Sequence, residues 1–290
     1  MLRLRPTVIA VALIFFAAGA VSETTVDRVP LPPTQDGRIL SLEVVIFKPA
    51  GEGPFPAVIF NHGSGGRGND PARLKQTWVN EHLANFFNAR GWLVAFPQRR
   101  GRGRSDGIND EGYEPDRSAY SCTEKYSSPG IDRAVEDIDA VLDYVTARID
   151  VDRNRVIIGG QSRGGILAIA FAGKHPGRVT AVINFAGGWV GDTCPEAVSI
   201  NTKAAKLGAA FDGPTLWLYG ENDSMYKTAH SRANFAAFRA MGGQGELRVY
   251  SLATGIDGHR LIDHPEIWAA DVDQFSKNAQ QVRVGRRSRR

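Results

Sequence analysis

Ser162 lies in the tract Gly160-Gln161-Ser162-Arg163-Gly164, preceded by the apolar run Val156-Ile157-Ile158 and followed by Ile166-Leu167-Ala168. A buried strand, a sharp turn and an apolar helix in that order form a nucleophile elbow, which lifts a serine hydroxyl clear of a sheet for covalent acyl transfer. The flanking glycines remove side chains that would obstruct so tight a crossing. The same five-residue pattern recurs at Gly103-Arg104-Ser105-Asp106-Gly107, within a polar stretch broken by glycine that opens no helix. Context therefore assigns the nucleophile to Ser162 and not to Ser105.

A serine nucleophile requires a base, an acid to orient it and donors for the oxyanion. Asp223 follows the apolar run 215–219, and His259 lies in the loop after the run 247–251. The chain order Ser162, Asp223, His259 is that of hydrolases built on this elbow. Glu221 and His264 are the alternatives for acid and base, and Asp257 reads as a loop-shaping residue. His62, His82, His175 and His230 read as packing or surface residues. The oxyanion donors are expected to be the backbone N–H groups of Arg163 and of Ser64, with Gly65 second, in the loop Asn61-His62-Gly63-Ser64-Gly65-Gly66.

That loop also fits a dinucleotide fingerprint as Gly63-Ser64-Gly65-Gly66-Arg67-Gly68, with Arg99 and Arg100 suited to a 2′-phosphate. Its last glycine precedes the helix start at Asn69-Asp70-Pro71, and the fingerprint leaves Ser162, Asp223 and His259 without a role. No cofactor is expected. No metal site is expected either, because the six histidines show no helical ligand pair and the cysteines are far apart.

Positioning these residues requires a sheet. Short apolar runs predict strands at 39–47, 57–61, 93–96, 156–159, 179–185, 215–219 and 247–251. Helical periodicity is clearest over 131–149, where Ile131, Val135, Ile138, Val141, Leu142, Val145 and Ile149 share a face and Pro129 suits the first turn. The alternation predicts an α/β fold, a doubly wound and mainly parallel sheet flanked by helices, with no large cap domain. Ligands should bind beyond the carboxyl ends of the strands. Residues 98–130, Gly187, Gly188 and Trp189 are expected to shape an open pocket there. Arg99, Arg100, Arg102 and Arg104 lie at the same edge, and Arg100 and Trp189 are read as substrate-contacting residues. An acidic substrate would suit these arginines; a solvated loop paired with Asp106, Asp110 and Glu111 is the simpler account.

Residues 1–22 combine Arg3 and Arg5, an apolar stretch from Val8 to Ala18, and small residues before Ser22. This is the pattern of a secretory signal peptide, too short in its apolar core to anchor the chain stably in a membrane. A single domain over 23–280 and a basic, disordered tail over 281–290 are expected to follow. The formal charge of +4 resides in the terminal arginines; without Arg3, Arg5, Arg283, Arg286, Arg287, Arg289 and Arg290 it turns negative. A nucleic-acid surface is therefore not expected. The two cysteines, Cys122 and Cys194, are expected to pair in a secreted or periplasmic setting.

The Asn61–Gly66 loop, the Arg100–Ser105 loop, the Ser162 elbow, Tyr219-Gly220-Glu221-Asn222-Asp223 and Gly258-His259 together resemble the α/β-hydrolase superfamily. Within it, the resemblance is to the dienelactone hydrolase-like and prolyl oligopeptidase-like branch. Dienelactone hydrolases proper carry cysteine at the elbow, where this chain has Ser162. The resemblance implies hydrolysis of a small carboxylic ester through an acyl-enzyme. A small peptidase or amidase, or a binding protein that keeps the fold, is the alternative. Oligomeric state is not legible in the sequence.

Overall fold

The structure, a computed structural model, describes residues 23–287; the expected signal peptide at 1–22 lies outside the described residues. Among the described residues, eight strands form one sheet in the order β1-β2-β4-β3-β5-β6-β7-β8. They are β1 (Glu23–Pro30), β2 (Ser41–Lys48), β3 (Phe55–Asn61), β4 (Leu93–Pro97), β5 (Val151–Gln161), β6 (Ala181–Phe185), β7 (Thr215–Gly220) and β8 (Gly245–Tyr250). The β1–β2 and β2–β4 pairs are antiparallel, and the other pairs are parallel. Among the described residues the α-helices are α1 (Pro71–Leu74), α2 (Glu81–Asn88), α3 (Glu124–Ala147), α4 (Arg163–Lys174), α5 (Ala197–Leu207), α6 (Thr228–Ala240) and α7 (Pro265–Arg287).

Every residue of β3, β4, β6 and β7 is buried, which is why these strands read as continuous apolar runs. One face packs under α3, α4, α5 and α6, and the other under α2 and α7, giving two hydrophobic cores divided by the sheet. Between β6 and β7 the chain holds only α5 and a short 3-10 turn, so the described residues contain no large cap.

Several expectations are corrected. β1 was not expected, because its sequence ETTVDRVP is polar; it is an edge strand whose one fully buried residue is Val29, and Tyr144 and Arg148 both bond Asp27. Helix α3 begins at Glu124, so Pro129 lies inside it and not in its first turn. The early turns of α3 escape apolar periodicity because they pack on a loop: a methyl on Gly130 would sit 2.4 Å from the Gly112 nitrogen. Helix α7 runs to Arg287, into the segment expected to be a disordered tail, and Ser288–Arg290 lie outside the described residues.

Cys122 and Cys194 form a disulfide with a Cα–Cα separation of 5.2 Å across 72 residues of chain. It ties the loop before α3 to the loop before α5. In the chain-entropy account, closing a loop of this size contributes roughly 4 kcal/mol. Replacing both cysteines by serine is expected to lower the thermal midpoint by about 8–16 °C in a calorimetric scan; an unchanged midpoint would show that the bond restrains little.

Candidate active site

Ser162 sits between β5 and α4 with φ 57° and ψ −122°. This conformation is strained for a residue with a side chain, and it turns the serine out of the sheet. Only glycine fits on either side: a methyl on Gly160 would lie 2.2 Å from the Gly164 carbonyl carbon, and one on Gly164 would lie 2.1 Å from Asn61 O. Arg163 opens α4, so its N–H is one of the donors a helix start leaves without an intrahelical partner.

Asp223 follows β7 and His259 lies in the 3-10 turn Gly258–Asp263 after β8. The His259 Nδ1 is 3.1 Å from both carboxylate oxygens of Asp223. Asp223 Oδ1 also accepts from the N–H groups of Met225 and Tyr226, at 2.7 and 2.9 Å, which orients the carboxylate toward the ring. Asp257 takes the loop-shaping role: it accepts from His259 N at 2.9 Å and from Ser224 Oγ at 2.6 Å, joining the two loops. Ser162 and His259 line one cavity. Among the described residues no hydrogen bond joins Ser162 to the His259 ring. Such contacts are commonly loose before substrate binds.

The structure does not bring the alternatives to this site. Glu221 accepts from Ser251 Oγ at 2.5 Å on the surface, and His264 pairs with exposed Glu266. Ser105 accepts from Glu43 N at 2.8 Å and donates to Gln98 O, a structural role. Ser64 lines the cavities on both sides of Ser162, whereas Gly65 lines neither and faces Leu74. The loop after β3 leads into the single turn α1, too short for the helix that a dinucleotide site requires.

Arg100, expected to contact substrate, points elsewhere. Its Nε donates to Asp137 at 2.6 Å and its Nη2 to Glu136 at 2.9 Å, both on α3, because buried Asp137 needs a counter-charge. Arg99 is likewise engaged, with its Nε 2.5 Å from Glu111. Trp189 does line a second cavity of about 420 Å³ beside Ser162, with Tyr120, Cys122, Cys194 and Tyr226. Its backbone N–H donates to Asn201 Oδ1 at 2.7 Å, which pins the loop after β6 to α5.

Tyr226 escaped sequence reasoning, whereas the sequence reads His62 as a packing or surface residue and Glu111 as a partner of the arginines on a solvated loop, where it is in fact fully buried. Tyr226, kept protonated by burial, lines the second cavity together with Ser162 and packs 5.5 Å from the His259 ring. His62 is fully buried, and donates from Nδ1 to Gly63 O at 2.7 Å while its Nε2 accepts from Arg99 N at 3.1 Å. Burial first, then the nearby charges of Arg99 and Arg102, hold its pKa well below the usual histidine range. Glu111 is buried between Arg99 and Arg163; despite a desolvation that opposes ionisation, Arg99 above all brings its carboxyl down to about 2. The only available signal was the cluster of arginines and acids itself, which carries no pairing information.

Comparison with known proteins follows this geometry. Residues 73–192, which include Ser162 and Arg163, match the family described as serine aminopeptidase S33. The chain has the α/β-hydrolase fold. Over 65 residues it is 34% identical to the alpha/beta hydrolase domain-containing protein WAV2 of Arabidopsis thaliana, a stretch covering 22% of this chain and 20% of that relative. The acylaminoacyl peptidase of Pyrococcus horikoshii superposes with a TM-score of 0.60 at 16% identity, over 91% of this chain and 42% of that one. The acetyl xylan esterase of Paenibacillus sp. R4 superposes with a TM-score of 0.60 at 16% identity, over 89% of each. At such identities the likeness establishes the fold. Among the described residues, no helix is long and apolar enough to cross a membrane.

Two outcomes test the electrostatics. Glu111→Gln removes the counter-charge of buried Arg99 and is expected to cost about 3–5 kcal/mol in urea unfolding; a loss below 1 kcal/mol would place the pair outside the stabilising core. His62, neutral when folded, must bind its proton on unfolding below its ordinary value of 6.5. Its contribution is therefore complete above that pH and declines as pH falls, by up to about 1.4 kcal/mol per unit. His62→Gln should flatten the stability profile between pH 6.5 and 5, measured by denaturant titration.

Proposed function

We propose that the protein is a serine hydrolase that cleaves small carboxylic esters through an acyl-enzyme. The observation that carries this reading is the His259 ring held by Asp223 at 3.1 Å, in the cavity that Ser162 enters from its strained turn. Ser162 Oγ attacks the ester carbonyl as His259 takes its proton, and Asp223 holds the ring tautomer and stabilises the imidazolium. The N–H groups of Arg163 and Ser64 receive the oxyanion, each such donor contributing about 10²–10³ in turnover. His259 then protonates the departing alkoxide, and a water activated by the same ring releases the acid. Trp189 and Tyr226 wall the space beside Ser162 for the acyl group.

The basic, apolar and small-residue pattern of the first 22 residues and the Cys122–Cys194 bond both support a secreted or periplasmic location. The mass of the mature N-terminus tests it.

A fluorophosphonate probe is expected to label the wild type and not Ser162→Ala. Short p-nitrophenyl esters are expected to be turned over at least a hundredfold faster than peptide anilides. Labelling that survives in Ser162→Ala removes the nucleophile assignment, and faster anilide cleavage converts the reading to a peptidase.

A further inference from the structure

Arg102 differs from Arg99 and Arg100 in the arginine loop. Arg99 pairs with Glu111 and Arg100 with Asp137 and Glu136, whereas Arg102 forms no salt bridge among the described residues. It is only 4% exposed, its Nε has no hydrogen-bond partner, and its Nη1 donates to the Gly63 carbonyl at 3.2 Å. Burial, the largest influence, pushes its pKa below the ordinary value, with the Glu111 charge acting in the opposite sense. A buried guanidinium without its own carboxylate is costly to fold, and an arriving anion would offset that cost.

Arg102 stands in the wall of the larger cavity at Ser162, about 550 Å³ in volume. Arg67 and Arg73 line the same space, also without a carboxylate partner among the described residues. The guanidinium groups flank the glycine loop: Arg73 Nη1 lies 2.8 Å from the place a methyl would occupy on Gly66, and Arg102 Nη1 lies 3.5 Å from the corresponding place on Gly65. Arg260, at the other rim, is already neutralised by Asp263. The two cavities beside Ser162 also differ in the base. His259 lines the larger one, while Trp189 and Tyr226 line the smaller. The base that takes the serine proton returns it to the leaving group, so the larger cavity receives the leaving group.

We propose that the preferred substrate is an ester of a hydroxycarboxylic acid, its leaving-group carboxylate held by Arg102 with Arg67 and Arg73 closing around it. The proposal rests on the acyl-transfer reading above and names the substrate class of that site. In the reaction Ser162 Oγ bonds to the carbonyl carbon and the ester C–O bond breaks. His259 carries the serine proton to the departing oxygen. The hydroxycarboxylate leaves with its carboxylate still ionised, and water then cleaves the acyl-serine to the free acid. The planar fork of a guanidinium matches a carboxylate in two parallel hydrogen bonds.

The test compares 4-acetoxybenzoate with 4-acetoxybenzamide, which differ in the charge of the leaving phenol, at fixed ionic strength. The wild type should favour the carboxylate at least tenfold in kcat/KM, mainly through KM. Arg102→Gln should reduce that ratio at least tenfold, with Arg102→Lys recovering part of it. Arg67→Gln, a change on the exposed rim, should reduce it about threefold and serves if Arg102→Gln does not fold. Equal kcat/KM for the two esters, or a ratio unmoved by both glutamine variants, overturns the proposal. Calorimetric binding of 4-hydroxybenzoate to Ser162→Ala, expected to weaken at least tenfold when Arg102→Gln or Arg67→Gln is added, needs no turnover. Failure of both esters to react with benzoate binding intact rejects the ester reading alone, and turnover without charge preference or benzoate binding rejects the anion site alone.

Discussion

One buried carboxylate organises the floor of the site. Glu111 is fully enclosed, with Arg99 at 2.5 Å and Arg163 at 3.8 Å. Through Arg99 it reaches the loop after β3, since Arg99 Nη1 donates to His62 O at 3.0 Å. Through Arg163 it reaches the elbow itself, because Arg163 Nη1 donates to Glu111 O and its Nε to Trp189 O. The residue proposed to supply an oxyanion N–H is thus fastened by its side chain to two other loops. Tyr120 and Trp189 close over that guanidinium at 3.6 and 4.3 Å, excluding water from the charge pair. Precise placement of backbone donors depends on such support from behind.

The loops around this centre are held by different means. The loop before α3 and the loop before α5 share the disulfide, and both wall the smaller cavity. The Trp189 turn is held by Asn201, whose amide also donates to Val190 O at 2.8 Å. The His259 turn is held by Asp257, where desolvation is outweighed by hydrogen bonds from Ser224 and His259 that keep the carboxyl below its ordinary pKa. The walls of the site are therefore tethered to one another and, at Trp189, to helix α5.

The central fold was legible because its strands are buried on both faces, and a run such as Val58-Ile59-Phe60 has only one reading at that length. The elbow was legible for a related reason: the strand, turn and helix are local, so the glycines and Ser162 appear in order along the chain. Edge strand β1 was not legible, since only Val29 of its eight residues is fully buried and its partners at Tyr144 and Arg148 are more than a hundred residues away. The fates of the arginines were hidden for the same reason. Arg99, Arg100 and Arg102 are neighbours in sequence, but their surroundings are set by Glu111, Asp137 and Gly63, whose approach is a consequence of the tertiary fold.

The local charge balance links the floor to the substrate. Arg99, Arg102 and Arg163 are buried around a single carboxylate, Glu111, and His62 between them is held neutral. Asp223 faces the His259 ring and does not contact the cluster through any salt bridge among the described residues. The interior behind the glycine loop is therefore positive on balance. In a poorly solvated site that field acts over several ångströms with little screening. In the proposed reaction it would favour the oxyanion formed as Ser162 attacks, and by the same sign an anionic group in the adjoining cavity. A second carboxylate in the protein at Arg102 would have cancelled both effects, which gives the missing partner of that arginine a physical rationale.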